Sequence, residues 1–201
     1  MNDTRIKTKT LTGLALFTAI VIVLQLLGSF IRFGPFSISL VLIPIVVGAA
    51  MYGPLAGAWL GFVFGLAVLL SGDAAVFMPI SPLGTIITVL AKGTVAGWCA
   101  GMVYSLLEKK NRYAAVIAAA VVCPIVNTGL FLLGCVLFFL ETVRGWGQGL
   151  GFENVGTYMI VGLVGLNFLV EMSTDIILSP LVLRLIRIGR HEPAEPEAEK
   201  A

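Results

Sequence analysis

Residues 33–72 read FGPFSISLVLIPIVVGAAMYGPLAGAWLGFVFGLAVLLSG, a run of 40 residues without a charged side chain. A helix of about 20 apolar residues crosses the hydrocarbon core of a bilayer, so this run is long enough for two crossings. Tyr52-Gly53-Pro54 in its middle predicts a turn, because glycine and proline interrupt helices. The stretch therefore predicts two transmembrane helices, at 37–52 and 55–71.

The composition of the whole chain agrees with a membrane protein. Of 201 residues, 58% are hydrophobic and only 12% are charged, and the mean hydropathy is +1.01. A soluble domain carries about 25% charged residues and needs them to cover its surface. The composition excludes a soluble enzyme, a nucleic-acid-binding protein and a disordered chain. It predicts an integral membrane protein of one domain.

The spacing of charges locates the other crossings, because a charge at the bilayer centre costs about 2.5–3.5 kcal/mol. Further helices are predicted at 11–31, 83–107, 113–140 and 158–186, the fifth with a kink at Pro124. The fold class is thus all-α, with six transmembrane helices. The predicted organisation is a cytoplasmic segment at 1–10, a transmembrane domain at 11–188 and a disordered cytoplasmic tail at 189–201.

Lysine and arginine favour cytoplasmic loops, and six crossings place both termini on one side. That side carries Arg5, Lys7, Lys9, Lys109, Lys110, Arg112, Arg184, Arg187, Arg190 and Lys200. The other side carries only Arg32 and Arg144. Both termini are therefore predicted to be cytoplasmic. The longer outer loops, 72–82 with Phe77 and 141–157 with Trp146, are expected to contribute to binding.

Two stripes of glycine recur every fourth residue. They are Gly57, Gly61 and Gly65 in the third helix and Gly93, Gly97 and Gly101 in the fourth. Small residues let helix backbones approach closely in lipid, so the stripes predict internal helix packing. Ala15 and Ala19 form a weaker pair of the same kind in the first helix, facing either a neighbouring helix or a separate membrane partner.

Polar residues inside the predicted spans mark a candidate binding site. Asn167, Glu171 and Asp175 are spaced four apart, which places them on one face of the sixth helix. Lys92 of the fourth helix lies at the same depth as Asn167, and Asn127 of the fifth helix lies slightly deeper, as does Glu171. Intramembrane ionisable groups favour a functional role. The candidate substrate-binding residues are Lys92, Asn127, Asn167 and Glu171, while Asp175 lies deeper and is assigned to packing or coupling.

Three environments would accommodate Lys92 at this depth: an ion pair with Glu171, a water-filled cavity, or an anionic group of a ligand. A Lys92–Glu171 pair that only fixes the order of the helices is the structural alternative. Gln25 in the first helix and Thr128 in the fifth add further polar groups.

The residue inventory argues against catalysis. The single histidine, His191, lies in the tail, which excludes histidine-ligated haem or zinc in the membrane and a Ser–His protease. Cys99, Cys123 and Cys135 have the spacing of neither a metal site nor a CxxC pair. No G-x-x-x-x-G-K-[ST] motif occurs, so any ATP hydrolysis belongs to another subunit. We expect no cofactor and no enzymatic activity.

Several short motifs follow one another along the predicted membrane region. They are Ala15-x-x-x-Ala19, Tyr52-Gly53-Pro54-Leu55-Ala56-Gly57, Pro82-Leu83-Gly84-Thr85, Lys92-Gly93-x-x-x-Gly97-x-x-x-Gly101, Pro124-Ile125-Val126-Asn127-Thr128-Gly129 and Asn167-x-x-x-Glu171. Their order resembles that of the substrate-binding S components of energy-coupling factor (ECF) vitamin transporters. The resemblance covers nearly the whole predicted membrane region.

The resemblance implies a subunit of an ABC importer in a prokaryotic plasma membrane, with its vitamin pocket in the outer half of helices 4–6. It also implies that Ala15 and Ala19 pack against a transmembrane coupling subunit, to which two ATPase subunits attach. Lys92 favours a carboxylate-bearing substrate, for which pantothenate is the best candidate; folate, biotin and niacin also carry carboxylates. If Glu171 and Asp175 dominate instead, a cation such as thiamine or a polyamine fits better.

Two other functions remain open from the residues alone. An autonomous ion-coupled secondary transporter of a small polar solute would use the acidic residues as ion sites, although no internal repeat of interrupted helices is visible. A structural or assembly subunit would use Lys92 and Glu171 to hold its helices together.

Overall fold

The structure is a computed structural model that describes residues 2–29, 32–33, 36–37 and 40–189. The helices are α1 Asn2–Gly28, α2 Leu42–Tyr52, α3 Pro54–Ser71, α4 Pro82–Leu107, α5 Arg112–Phe138, α6 Leu140–Gly149, α7 Val155–Thr157, α8 Gly165–Ile177 and α9 Ser179–Gly189. A π-helical segment, Tyr158–Leu163, connects α7 to α8. Two short antiparallel strands, β1 Arg32–Phe33 and β2 Phe36–Ser37, form a hairpin with Arg32 opposite Ser37.

Helices α3 and α4 pack backbone to backbone along the two glycine stripes. A Cβ atom built on Gly61 would clash with the Gly93 carbonyl oxygen, and one on Gly97 would clash with the Gly57 carbonyl oxygen. At the end of the stripe, a Cβ on Gly65 would lie 2.9 Å from the carbonyl oxygen of Val89. The predicted role of these glycines in internal helix packing is confirmed.

Four helical segments are long and apolar enough to cross a membrane: Thr10–Gly28, Pro54–Ser71, Pro82–Leu107 and Arg112–Phe138. Val155–Leu163 and Asn167–Ile177, bent by 45° at the break between them, form a fifth if counted as one span. Helix α2 is apolar but has 11 residues, which cover only about 16 Å against a hydrocarbon core of about 30 Å. The described residues thus contain four or five candidate spans, and the count of six stays a prediction.

Two predicted helices differ from the observed ones for local reasons. The second begins at Leu42 rather than at residue 37. Pro44 then lies in its first turn, where the missing N–H breaks no hydrogen bond. The sixth helix is divided at Val164 and again at Leu178. The second break lies next to Pro180, which has no N–H to donate to the Ile176 carbonyl and whose ring crowds that carbonyl.

The segments at the ends of the chain and after α5 also differ in detail from the prediction. Helix α1 already begins at Asn2, so much of the predicted segment 1–10 is helical. The predicted loop 141–157 contains α6, in which Arg144 Nη1 lies 2.8 Å from Glu141 Oε1. Pro124 lies buried inside α5. Of the predicted tail, residues 190–201 lie outside the described residues.

Candidate functional site

A cavity opens between α3, α4, α5 and α8, beside the turns at 72–80 that connect α3 to α4. It encloses about 710 Å³ of empty space, including its open mouth. Its polar lining residues are Asp73, Lys92, Asn127, Thr128, Asn167 and Glu171, and its apolar lining includes Phe64, Phe77, Phe131 and Phe168. The cavity has room for a small molecule that is polar on one part and apolar on another.

All four residues chosen from the sequence as substrate-binding candidates line this one cavity. Lys92 comes from α4, Asn127 from α5, and Asn167 and Glu171 from α8. Lys92 and Glu171, the first and last of the four, are 79 positions apart in the sequence, and the fold brings them to one cavity. Asp175, one turn further along α8, is buried but does not line the cavity.

The Lys92 ammonium is held between two aromatic rings. Its Nζ lies 5.7 Å from the ring centre of Phe64 and 5.4 Å from that of Phe131, within the range of cation–π attraction. Within the described part of the chain, no oxygen is hydrogen-bonded or ion-paired to this ammonium, so the simple Lys92–Glu171 ion pair does not form. Its three N–H donors are available to a ligand.

The two carboxylates of the cavity accept hydrogen bonds from amide side chains of the protein. Asn167 Nδ2 donates to Glu171 Oε1 at 3.3 Å. Asp73 accepts a hydrogen bond from Gln25 Nε2 of α1. Asp73 follows Gly72, whose left-handed backbone (φ +80°) ends α3, a conformation that glycine adopts without strain.

Asp73 lies in the predicted outer loop 72–82 and is not among the binding residues predicted from the sequence. One signal in the sequence could have identified Asp73, since it is the charged residue that ends the uncharged stretch 33–72.

Two buried amide groups in the cavity wall are incompletely satisfied. Asn127 Oδ1 and Asn167 Oδ1 have no hydrogen-bond partner within the described structure. A buried acceptor without a donor costs about 1–3 kcal/mol, so such atoms in a cavity wall favour a ligand that supplies O–H or N–H groups. The Asp175 Oδ2 atom is also buried without a partner, but it lies outside the cavity lining.

Phe77 covers one side of the cavity from the turns at 72–80. It is 4% exposed, and its ring centre lies 5.8 Å from that of Phe131, 4.8 Å from Phe139 and 5.6 Å from Trp146. The sequence had singled out Phe77 and Trp146 as aromatic residues of two separate loops. The structure joins them in one aromatic cluster, with Phe77 lining the cavity and Trp146 behind it.

The small residues of α1 lie away from the cavity. Ala15 and Ala19 are both exposed on α1, whose membrane-length segment Thr10–Gly28 has only 11% of its residues buried. The face that contains them is therefore uncovered by any other described part of the chain.

Comparison with known proteins identifies the family. A family model described as "ECF transporter, substrate-specific component" matches residues 9–183. The pantothenic acid transporter PanT of Lactococcus lactis subsp. cremoris (strain MG1363) is 28% identical over 196 residues, covering 89% of this chain and 93% of PanT. A solved structure of ThiT from Listeria monocytogenes shares the fold with a TM-score of 0.63 at 24% identity, covering 90% of this chain and 98% of ThiT. This multi-pass membrane chain, with its cavity of converging polar groups, belongs to the family of substrate-specific components of ECF transporters.

Proposed function

We propose that this chain is the pantothenate-binding subunit of an ECF-type importer, with Lys92, Asn127, Asn167 and Glu171 as its substrate-binding residues. The observation that carries the proposal is the Lys92 ammonium, which faces a cavity between two aromatic rings without an acceptor from the described protein. The similarity to a relative named as a pantothenic acid transporter supports the same substrate.

The chemistry of pantothenate matches the polar groups of the cavity. Its carboxylate would accept charge-assisted hydrogen bonds from Lys92, the strongest class of hydrogen bond available at this site. Its hydroxyl and amide groups would donate to the free oxygens of Asn127 and Asn167. Its branched apolar part would pack against phenylalanine side chains of the lining.

A cationic substrate is less well supported by these contacts. Glu171 and Asp73 each accept a hydrogen bond from an amide of the protein, whereas Lys92 has none to an acceptor. The groups of the cavity wall that lack a hydrogen-bond partner among the described residues include the Lys92 ammonium and the amide oxygens of Asn127 and Asn167. An anionic ligand that also donates hydrogen bonds would satisfy both the ammonium and the amide oxygens.

The proposal is tested on the full chain purified in detergent from cells grown in rich medium. Native mass spectrometry is expected to find one pantothenate per chain, and titration of ligand-free protein is expected to give saturable binding without an ion gradient. Bound thiamine or a polyamine instead would contradict the carboxylate contact. Protein that binds no vitamin but takes up a solute in response to an ion gradient would favour a secondary transporter.

We further propose the arrangement expected for the complete importer in a prokaryotic plasma membrane. Six crossings, with α2 as the shortest, would place both termini in the cytoplasm. The exposed pair Ala15 and Ala19 would pack against the transmembrane coupling subunit, and two ATPase subunits attached to that partner would drive uptake. Small exposed residues on a membrane helix favour such close contact with another helix.

Replacing Ala19 with tryptophan is expected to prevent assembly while leaving pantothenate binding unchanged. The indole would hold the partner helix away from α1, and the exposed position lies outside the cavity lining. Co-purification of the coupling subunit with the tagged variant measures assembly, and titration measures binding.

Gly129→Leu supplies the matched control, because Gly129 is exposed on α5 with nothing within 4 Å of an added Cβ. Normal assembly of the Ala19→Trp variant would show that the partner binds another face.

A further inference from the structure

Gln25 is a buried polar residue on a helix that is otherwise largely exposed. Its side chain is 2% exposed, and its Nε2 donates to the Asp73 carboxylate on the turn after α3. A second polar contact between α1 and α3 joins Trp59 Nε1 to Thr18 Oγ1 at 3.1 Å. Of these two contacts, the one made by Gln25 reaches a residue that lines the cavity.

Asp73 is the carboxylate that this contact controls. Asp73 and Lys92 line the same cavity, yet in the described part of the chain the Lys92 ammonium lies against two aromatic rings and not in an ion pair with Asp73. In a poorly solvated site an ammonium and a carboxylate attract each other strongly. Asp73 also lies on a turn rather than within a helix, so its side chain can be redirected at little cost in backbone hydrogen bonds.

We propose that Gln25 is a positioning residue: it holds the Asp73 carboxylate toward α1 and thereby keeps the Lys92 ammonium available for the carboxylate of the ligand. This inference rests on the proposed contact between Lys92 and an anionic substrate. The selection of an anionic ligand would then depend on α1, although none of the described residues that line the cavity comes from this helix.

The first test is pantothenate titration of the full chain in detergent. Gln25→Leu removes the hydrogen bond that draws the Asp73 carboxylate toward α1. Stronger competition of Asp73 for Lys92 is then expected to weaken pantothenate binding by about tenfold or more, the effect of one charge-assisted hydrogen bond. Asp73→Asn in the same background removes the competing charge and is expected to restore the affinity to within about threefold of the unmodified protein.

Thr18→Val is the matched control, because it removes the contact of α1 with Trp59 without touching Asp73. It is expected to leave the affinity unchanged. An unchanged affinity in Gln25→Leu, or a loss that Asp73→Asn does not reverse, would overturn the positioning role. The rescue is decisive, because a structural loosening of α1 would not be repaired by a second change at Asp73.

A second test needs no ligand and separates this inference from the proposed substrate. Melting temperatures are measured for Lys92→Met and Asp73→Asn, singly and together, with and without Gln25→Leu. The two effects are expected to be coupled more strongly when Gln25 is replaced than when it is present. A stronger coupling in the Gln25→Leu background without pantothenate binding would retain the positioning role and reject the substrate. Equal coupling in both backgrounds would reject the positioning role.

Discussion

Replacing Gly61 with alanine is expected to destabilise the helix bundle more than any other single methyl group added along the two stripes of glycine. The new Cβ would overlap the carbonyl oxygen of Gly93, a backbone atom that cannot turn away as a side chain can. Overpacking of a tight contact costs about 1–3 kcal/mol and more when backbones must separate. We expect a loss of at least about 2 kcal/mol, seen as a lower melting temperature and a smaller monodisperse fraction in detergent.

The matched control for this change is Gly129→Ala. Gly129 lies inside α5, but an added Cβ there has nothing within 4 Å. Because glycine is about 0.5–1 kcal/mol less favourable than alanine within a helix, the control is expected to be neutral or slightly stabilising. Equal melting temperatures for the two variants would show that α3 and α4 do not depend on backbone contact.

The helices that the sequence predicts well are those bounded by strong local signals. The prediction of 55–71 corresponds to the observed Pro54–Ser71, and 83–107 corresponds to Pro82–Leu107. Proline begins both helices, and a run of charges follows the second. Charge spacing combined with proline and glycine positions is therefore sufficient to predict the bounds of a helix that crosses the bundle without interruption.

The sequence fails where the backbone departs from a regular helix inside an apolar segment. Hydropathy alone gives no indication of the π-helical segment Tyr158–Leu163 or of the break at Leu178. The hairpin before α2 is equally hidden, because short apolar strands and helix ends look alike in composition. The break at Leu178 has a local cause in Pro180, which hydropathy does not register. The π-helical segment places Tyr158, Met159 and Leu163 in a buried apolar cluster with residues distant in the sequence.

The candidate site shows the same division between charged and apolar residues. Lys92 and Glu171 could be selected because ionisable groups are rare and costly in membrane spans. Phe64 and Phe131, which contact the Lys92 ammonium, were not selected, because an aromatic residue in an apolar helix is unremarkable in a sequence. The sequence thus predicts the polar half of the cavity, and only the folded chain shows its aromatic half.

Replacing Lys92 with methionine is the most informative change at the cavity itself. Methionine keeps the length of the side chain and removes its charge and donors. Truncating one partner of a buried charge pair costs about 2–5 kcal/mol of binding. We therefore expect pantothenate affinity to fall by at least about 30-fold in a calorimetric titration.

Stability distinguishes the two roles that the sequence left open for Lys92. If Lys92 serves the ligand, methionine removes a buried ammonium that forms no ion pair with the described residues, and the melting temperature should shift by less than about 4 °C, the shift that 1 kcal/mol produces in a chain of this size. If Lys92 instead held α4 to α8 through charge, the same change would cost several kcal/mol and unfold much of the protein. Thr94→Val controls for polarity, because Thr94 Oγ1 donates to the Leu90 carbonyl within α4, outside the cavity lining. Retained pantothenate affinity in folded Lys92→Met protein would exclude the carboxylate contact.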